Sequence, residues 1–282
     1  MSDATAGQAP FRGVAVALVS LFDEDGRLLV DRTAELAATI AAEGARAVVV
    51  AGSTGEPWFL TAPERAQLIE ATRRALPGDV PVVAGTGHPV PDEAVRLTVA
   101  ARDAGADAVL AISPQGHEDP TAYYAAVGRA AGTLPVLAYH FPAVSTPGVR
   151  VELLSGLPVA GIKDSSSDAD RLASELDAYD GPVYVGSPLL LATAGALGAA
   201  GAIVGLANLD VSRCAAAFAG DLDAQRALVP DHLAAQSDFP RSLKKMLSER
   251  RGTPATVRSR PPADPAAAAW PRVREWDLPV RP

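Results

Sequence analysis

Apolar runs of strand length recur along this chain, and each is followed by a stretch with helical spacing. The runs are Gly13 to Ser20, Ala47 to Gly52, Val80 to Gly85, Ala108 to Ser113, Leu134 to His140, Val159 to Lys163, Val183 to Gly186 and Ala202 to Ala207. They are nearly continuous rather than alternating, the pattern of strands buried on both faces of a parallel sheet. Asp31 to Glu43, Ala62 to Ala75 and Pro91 to Asp103 read as helices, with Asp31 as an N-cap and Pro63 or Pro91 near a first turn. Gly44, Gly105 and Gly201 stand at expected helix ends, where glycine takes the left-handed conformation without a Cβ penalty. Pro81, Pro135, Pro158 and Pro182 stand at strand entrances, where no ladder donor is lost. Eight β/α units predict an α/β fold, a closed (β/α)8 TIM barrel with extra C-terminal helices; an open doubly wound sheet is the alternative. The expected organisation is a barrel over residues 12–209, a helical extension over 210–250 and a Pro/Ala-rich tail over 251–282 that wraps the surface or is partly disordered.

One segment reads two ways. Leu189 to Ala207 carries no charge over nineteen residues and contains Gly201-xxx-Gly205, like a membrane span with a pairing motif. Its glycines at 195, 198, 201 and 205 divide it instead into a helix and the eighth strand, so no membrane partner is expected.

Composition sharpens this picture in three places. A 48% apolar content over 282 residues calls for a sizeable core and excludes a disordered chain. The lone Cys214 has no disulfide partner, and Met1 to Pro10 lacks the features of a secretion signal, so a reduced cytoplasm is the expected location. A net charge of −8 argues against nucleic acid and anionic membranes as partners. Of the 25 basic residues only Lys163, Lys244 and Lys245 are lysines. A lysine that persists against such a bias invites a chemical explanation.

In a parallel barrel the reactive groups sit at the C-terminal ends of the strands. The sixth run ends on Lys163, which is either paired with a carboxylate such as Asp164 or serves as an amine whose apolar walls favour the neutral, nucleophilic form. Such an amine attacks a ketone, and the resulting imine draws electrons from the adjacent carbon. Tyr139, at the end of the fifth run, is either a core residue or a proton carrier to a substrate oxygen. His140 falls on the opposite side of that strand and reads as structural. Gly52-Ser53-Thr54-Gly55-Glu56 is either an ordinary loop or a turn whose hydroxyls and amides converge on a carboxylate. Gly85-Thr86-Gly87 is a weaker candidate of the same kind. His88, His117, His140 and His232 have no ligand spacing, and neither a metal nor an organic cofactor is expected.

Taken together in order and spacing, Gly52-Ser53-Thr54-Gly55-Glu56, Tyr139-His140-Phe141-Pro142 and Gly161-Ile162-Lys163-Asp164 resemble the motifs of the dihydrodipicolinate synthase/N-acetylneuraminate lyase family, over about residues 12 to 250. The resemblance implies a (β/α)8 barrel, usually a homotetramer, here a tetramer or dimer. It implies that Lys163 forms an imine with pyruvate or a related 2-oxo acid, that Tyr139 relays the proton, and that Ser53 and Thr54 hold the carboxylate and link to Tyr139. It also assigns Gly55, Gly161 and Ile203 to substrate binding, and reads Lys244 and Lys245 as a solvated face of the family's late helix. Three departures narrow it. Where the synthase has an arginine after the tyrosine motif, this chain has Ala143-Val144-Ser145-Thr146. Where the family has tyrosines after the fourth strand, it has Gln115-Gly116-His117. Where sialic acid lyases have acidic residues, it has Gly186-Ser187-Pro188-Leu189. The leading expectation is a Schiff-base lyase/aldolase that cleaves or forms a 2-oxo acid, such as a 2-keto-3-deoxy sugar acid or a 4-hydroxy-2-oxo acid. The alternatives are the dihydrodipicolinate synthase reaction or a dehydratase within the family and, from other classes, a metal-dependent barrel lyase or a relic that binds a 2-oxo acid without turnover.

Overall fold

Side chains two apart along a strand share a face, and on that rule the near-continuous apolar runs divide between two cores. Ala15, Ala17, Val49, Val83, Leu110, Leu137, Tyr184 and Ile203 belong to one, at the centre of a barrel. The alternate residues, among them Val16, Val48, Val50, Ala84, Val109, Ala138, Ile162 and Val204, pack outward beneath the helices. The computed structural model describes residues 9–258. Its strands are β1 (Gly13–Ala17), β2 (Val48–Val50), β3 (Val82–Gly85), β4 (Ala108–Ile112), β5 (Val136–His140), β6 (Gly161–Asp164), β7 (Val183–Val185) and β8 (Gly201–Val204). All pair in parallel, in sequence order, and β8 returns to β1 to close the barrel.

The helices are α1 (Val30–Ala42), α2 (Ala62–Ala75), α3 (Pro91–Asp103), α4 (Thr121–Ala131), α5 (Ala169–Ala178), α6 (Leu191–Ala196), α7 (Ala207–Phe218), α8 (Leu222–Gln236) and α9 (Arg241–Arg251). The connection from β5 to β6 carries a 3-10 turn, Val151–Gly156, in place of an α-helix. Two local expectations are corrected. Asp31 lies inside the first turn of α1, whose N-cap is Leu29; the Thr33 hydroxyl donates to the Leu29 carbonyl and accepts the Leu21 N–H, so the helix starts earlier. Gly201 opens β8 rather than ending a helix: a Cβ there would stand 2.1 Å from the Gly13 carbonyl oxygen, and Gly198, at φ +86°, follows α6 instead. Leu189 to Ala207 divides into a 3-10 turn, α6, β8 and the start of α7. No helix among the described residues is long and apolar enough to cross a membrane.

The reading of Lys244 as a solvated residue is overturned. It is fully buried, whereas Lys245 is exposed. Its Nζ is paired with Glu56, donates to the Thr256 carbonyl at 2.8 Å and lies 4.4 Å from the centre of the Phe22 ring. Burial pulls its pKa down, and Glu56 opposes that shift. Arg258 continues the clamp: its N–H donates to the other Glu56 oxygen at 2.7 Å and its guanidinium pairs with Glu64. Residues 253–258 are thereby tied across the barrel; the remainder of the expected tail, 259–282, lies outside the described residues.

A second buried polar cluster stands behind β5 and β6. His140 accepts the Val149 N–H at its Nδ1, and burial together with the Arg171 charge pushes its pKa down to about 4. Arg171 lies 3.3 Å from Asp164 and 2.7 Å from Glu175, so one guanidinium serves two buried carboxyls. One of them must keep its proton. Burial first, then the Asp164 charge, pushes Glu175 up to about 8. An acid whose folded pKa is raised contributes its stability in full below its unfolded value, about 4.3, and loses it as the pH climbs through the folded one. Glu175→Gln is therefore expected to gain stability relative to wild type as the pH rises from about 5 to about 8. Urea denaturation across that range checks this, and parallel curves for the two proteins would contradict it.

Candidate active site

Strand parity and register bring the expected residues together. Lys163 faces inward and pairs in register with Tyr139 on β5 and Tyr184 on β7. Two residues earlier, Gly161 cannot carry a side chain, because a Cβ would meet the Pro182 carbonyl oxygen at 2.6 Å and Leu137 at 3.1 Å. Lys163 is 5% exposed, and its Nζ lies 4.3 Å from the centre of the Tyr139 ring. It makes no ion pair with a described residue. Asp164 does not neutralise it, because that side chain points to the outer face, where it accepts the Ser166 N–H and pairs with Arg171.

The turn after β2 approaches from across the mouth. Ser53–Gly55 form a single 3-10 turn, flanked by Ala51 and Glu56 at φ +52° and +56°. Gly55 fits against the segment that follows β1, where a Cβ would stand 3.1 Å from the Leu18 carbonyl oxygen; Ser20 donates to the Gly55 carbonyl at 2.8 Å. Behind the turn, Glu56 is held by Lys244 and Arg258. The hydroxyls of Ser53, Thr54 and Tyr139 make no hydrogen bond to a described residue, so the link from Thr54 to Tyr139 is not formed in this arrangement.

A cavity of about 540 Å³ opens above these groups, and Ser53, Thr54, Tyr139, Lys163 and Ile203 all line it. Gly55 and Gly161 stay behind its wall and act by allowing close packing. The Gly85-Thr86-Gly87 segment does not reach this cavity; Gly85 and Gly87 border a smaller void of about 20 Å³ beside Ser53 and Tyr139.

The upper wall joins residues of the divergent loops to others, Trp58, Ser165, Ser167 and Gln236, that the sequence did not single out. Trp58, Phe141, Val144, Pro188 and Phe239 supply apolar surface, and Ser165, Ser167, Ser187, His232 and Gln236 supply polar groups. Ser165 and Ser167 could have been found, since they directly follow the strand that carries Lys163. His232 and Gln236 are four apart on α8 and share a helix face, but nothing local indicates that this face reaches the barrel mouth. Among the described residues, Lys163 is the single lysine or arginine on the wall, and no Asp or Glu lines it. Burial lowers the pKa of His232.

The loops where the chain departs from the family motifs fold on one another. Ser145 donates to the Ser113 carbonyl at 2.6 Å, and the Gly116 N–H donates to the Thr146 carbonyl at 2.7 Å. His117 contacts the Gln115 carbonyl at 3.0 Å. Cys214 is buried, and burial raises its thiol pKa to about 12, so it is not a nucleophile here. Among the described residues no cluster of His, Cys, Asp or Glu could hold a metal ion.

A strand-end lysine left unpaired by its neighbouring aspartate, open to a cavity in a closed (β/α)8 barrel, places the molecule among carbon–carbon lyases of the class I aldolase type. The chain belongs to the dihydrodipicolinate synthetase family, whose model matches residues 10–269. A 4-hydroxy-tetrahydrodipicolinate synthase of Pseudomonas aeruginosa is 35% identical over 241 residues, covering 79% of this chain and 82% of that protein. An uncharacterized DapA-like lyase of Halobacterium salinarum is 34% identical over 205 residues, covering 70% and 67%. Among solved structures, a prophage protein of the dihydrodipicolinic acid synthase family from E. coli K12, in complex with pyruvate, superposes with a TM-score of 0.82 at 26% identity, covering 91% of this chain and 94% of that one. The chloride-inhibited dihydrodipicolinate synthase of Acinetobacter baumannii, complexed with pyruvate, gives 0.79 at 28% identity, covering 84% and 88%.

Proposed function

We propose that the protein cleaves or forms a 2-oxo acid through an imine on Lys163, with pyruvate as the keto half and an uncharged aldehyde as the other. The observation that carries the reading is the buried, unpaired Lys163 beside Tyr139, on a wall shared with Ser53 and Thr54. The pyruvate held by two structural neighbours supports the choice of keto acid.

In the cleavage direction the neutral Lys163 amine adds to the C2 carbonyl, and loss of water gives a protonated imine. Tyr139 gives its proton to the departing water, and the phenolate so formed accepts the proton of the C4 hydroxyl as the C3–C4 bond breaks. Its electrons flow to the imine nitrogen, leaving an enamine and releasing the aldehyde. Protonation at C3 and hydrolysis then return pyruvate and the free amine. Ser53 and Thr54 orient the carboxylate through their hydroxyls, Thr54 stands next in the proton path from Tyr139, and Ile203 packs against the keto acid. Gly55 and Gly161 keep the turn and strand close enough for this.

The aldehyde half is read from the upper wall. Val144 occupies the stretch where the synthase has an arginine, and among the described residues no lysine or arginine besides Lys163 lines the cavity. A carboxylate or phosphate there would be unpaired, which is costly inside a cavity. This favours an aldolase over the dihydrodipicolinate synthase reaction, while dehydration through the same imine is the second outcome the site can support. A homo-oligomer in a reduced cytoplasm accords with the family resemblance and with the inert Cys214 thiol.

Incubation with pyruvate and borohydride, followed by peptide mapping, tests the core reading: a reduced adduct on Lys163 is expected, and its absence overturns the reading. For the aldehyde, addition of pyruvate to glyceraldehyde should exceed addition to glyceraldehyde 3-phosphate by roughly tenfold or more in kcat/KM. Equal rates would remove the argument from the uncharged wall.

A further inference from the structure

Arg65, on α2, is only 5% exposed, yet it has no carboxylate partner among the described residues. Its Nη2 donates to the Pro57 carbonyl at 2.5 Å and its Nη1 to the Gly85 carbonyl at 3.4 Å, while Nε has no partner. Other arginines that reach inward, such as Arg171 and Arg258, sit against carboxylates. Two carbonyls ask only for neutral donors, and a guanidinium brings a charge that is expensive to bury unpaired. Burial lowers its pKa to about 10, which leaves it charged at neutral pH.

Its position suggests what the charge serves. Pro57 opens the 3-10 turn that follows Ser53–Gly55, and Gly85 lies so near Ala51, two residues before Ser53, that a Cβ on Gly85 would be 2.1 Å from the Ala51 carbonyl oxygen. Arg65 thus buckles the loops after β2 and β3 behind the turn assigned to the substrate carboxylate. On its cavity side that turn offers hydroxyls and, among the described residues, no cation. Lys163 does not fill the need at the moment of attack, because the nucleophilic amine is neutral.

We propose that Arg65 is a positioning residue that fixes the Ser53–Thr54 turn through Pro57 and Gly85 and whose unpaired charge favours the carboxylate of the bound 2-oxo acid. The inference rests on the imine reading above. It assigns to a residue outside the cavity wall the discrimination between a 2-oxo acid and its uncharged analogue.

The test compares rates of borohydride trapping with pyruvate and with pyruvamide, which replaces the carboxylate by a neutral group of similar shape. In wild type, pyruvate should be favoured by roughly tenfold or more. Arg65→Gln, which keeps donors and loses the charge, should reduce that ratio several-fold. Arg65→Lys, which keeps the charge and loses the fork, should retain most of it. A wild-type ratio near one overturns the proposal, as does an equal fall with both compounds in R65Q, the signature of a purely structural role. If R65Q does not fold, R65K decides: a retained ratio supports the proposal and a collapsed one overturns it. Failure of the imine reading is distinguishable, because wild type would then form no adduct on Lys163 with either compound.

Discussion

Replacing Lys163 with methionine is expected to lower turnover by roughly 10⁴-fold or more and to abolish the pyruvate adduct. The fold should survive, since Lys163 makes no ion pair with a described residue and its Nζ rests over the Tyr139 ring. Lys163→Arg sharpens the experiment. It keeps a cation at the end of β6 but offers no free amine, so it should be as inactive as methionine. Retro-aldol release of pyruvate, measured beside the thermal denaturation of each variant, separates chemistry from folding. Substantial activity in the arginine variant would mean that the lysine acts only as a charge.

The largest stability effect is expected at Lys244. Lys244→Met leaves Glu56 buried without its cation and the Thr256 carbonyl without its donor. Removing one member of a buried pair costs about 3–5 kcal/mol, whereas Lys245→Met on the exposed face should stay within about 0.5 kcal/mol. Guanidinium denaturation measures both. Adding Glu56→Gln to Lys244→Met removes the stranded charge and should recover part of the loss; a double variant no more stable than the single one would argue against the pair as the cause. Because Glu56 directly follows the Ser53–Thr54 turn, the single variant should also slow imine trapping.

Much of the barrel was legible because burial on both faces of a parallel strand forces continuous apolar runs, and eight such runs, each trailed by a connecting segment, leave little choice of architecture. Lys163, Tyr139 and the Ser53–Thr54 turn were legible for a related reason: parallel strand ends gather at one rim, so chemistry at the end of a run has a known destination. His232 and Gln236 were not. They lie on a helix beyond the eighth strand, and the side that α8 turns to the mouth is set by packing over α7 and α9. Asp31 was misread because capping preferences are local, whereas the start of α1 is set by the Thr33 hydroxyl reaching the Leu21 N–H and the Leu29 carbonyl.

The lysines divide what the sequence determined from what the tertiary structure decided. Scarcity marked all three equally, and the end of an apolar strand alone put Lys163 at the rim of the barrel. For Lys244 the helical pattern of α9 contains no sign of Glu56, which lies 188 positions away in the chain. Only folding brings that carboxylate, the Thr256 carbonyl and the Phe22 ring around one ammonium group. Periodicity specifies which face of an element is buried, because that depends on neighbours three or four residues along. The partner a buried charge finds depends on how distant elements meet, and that is fixed by closure of the barrel and docking of the last helix.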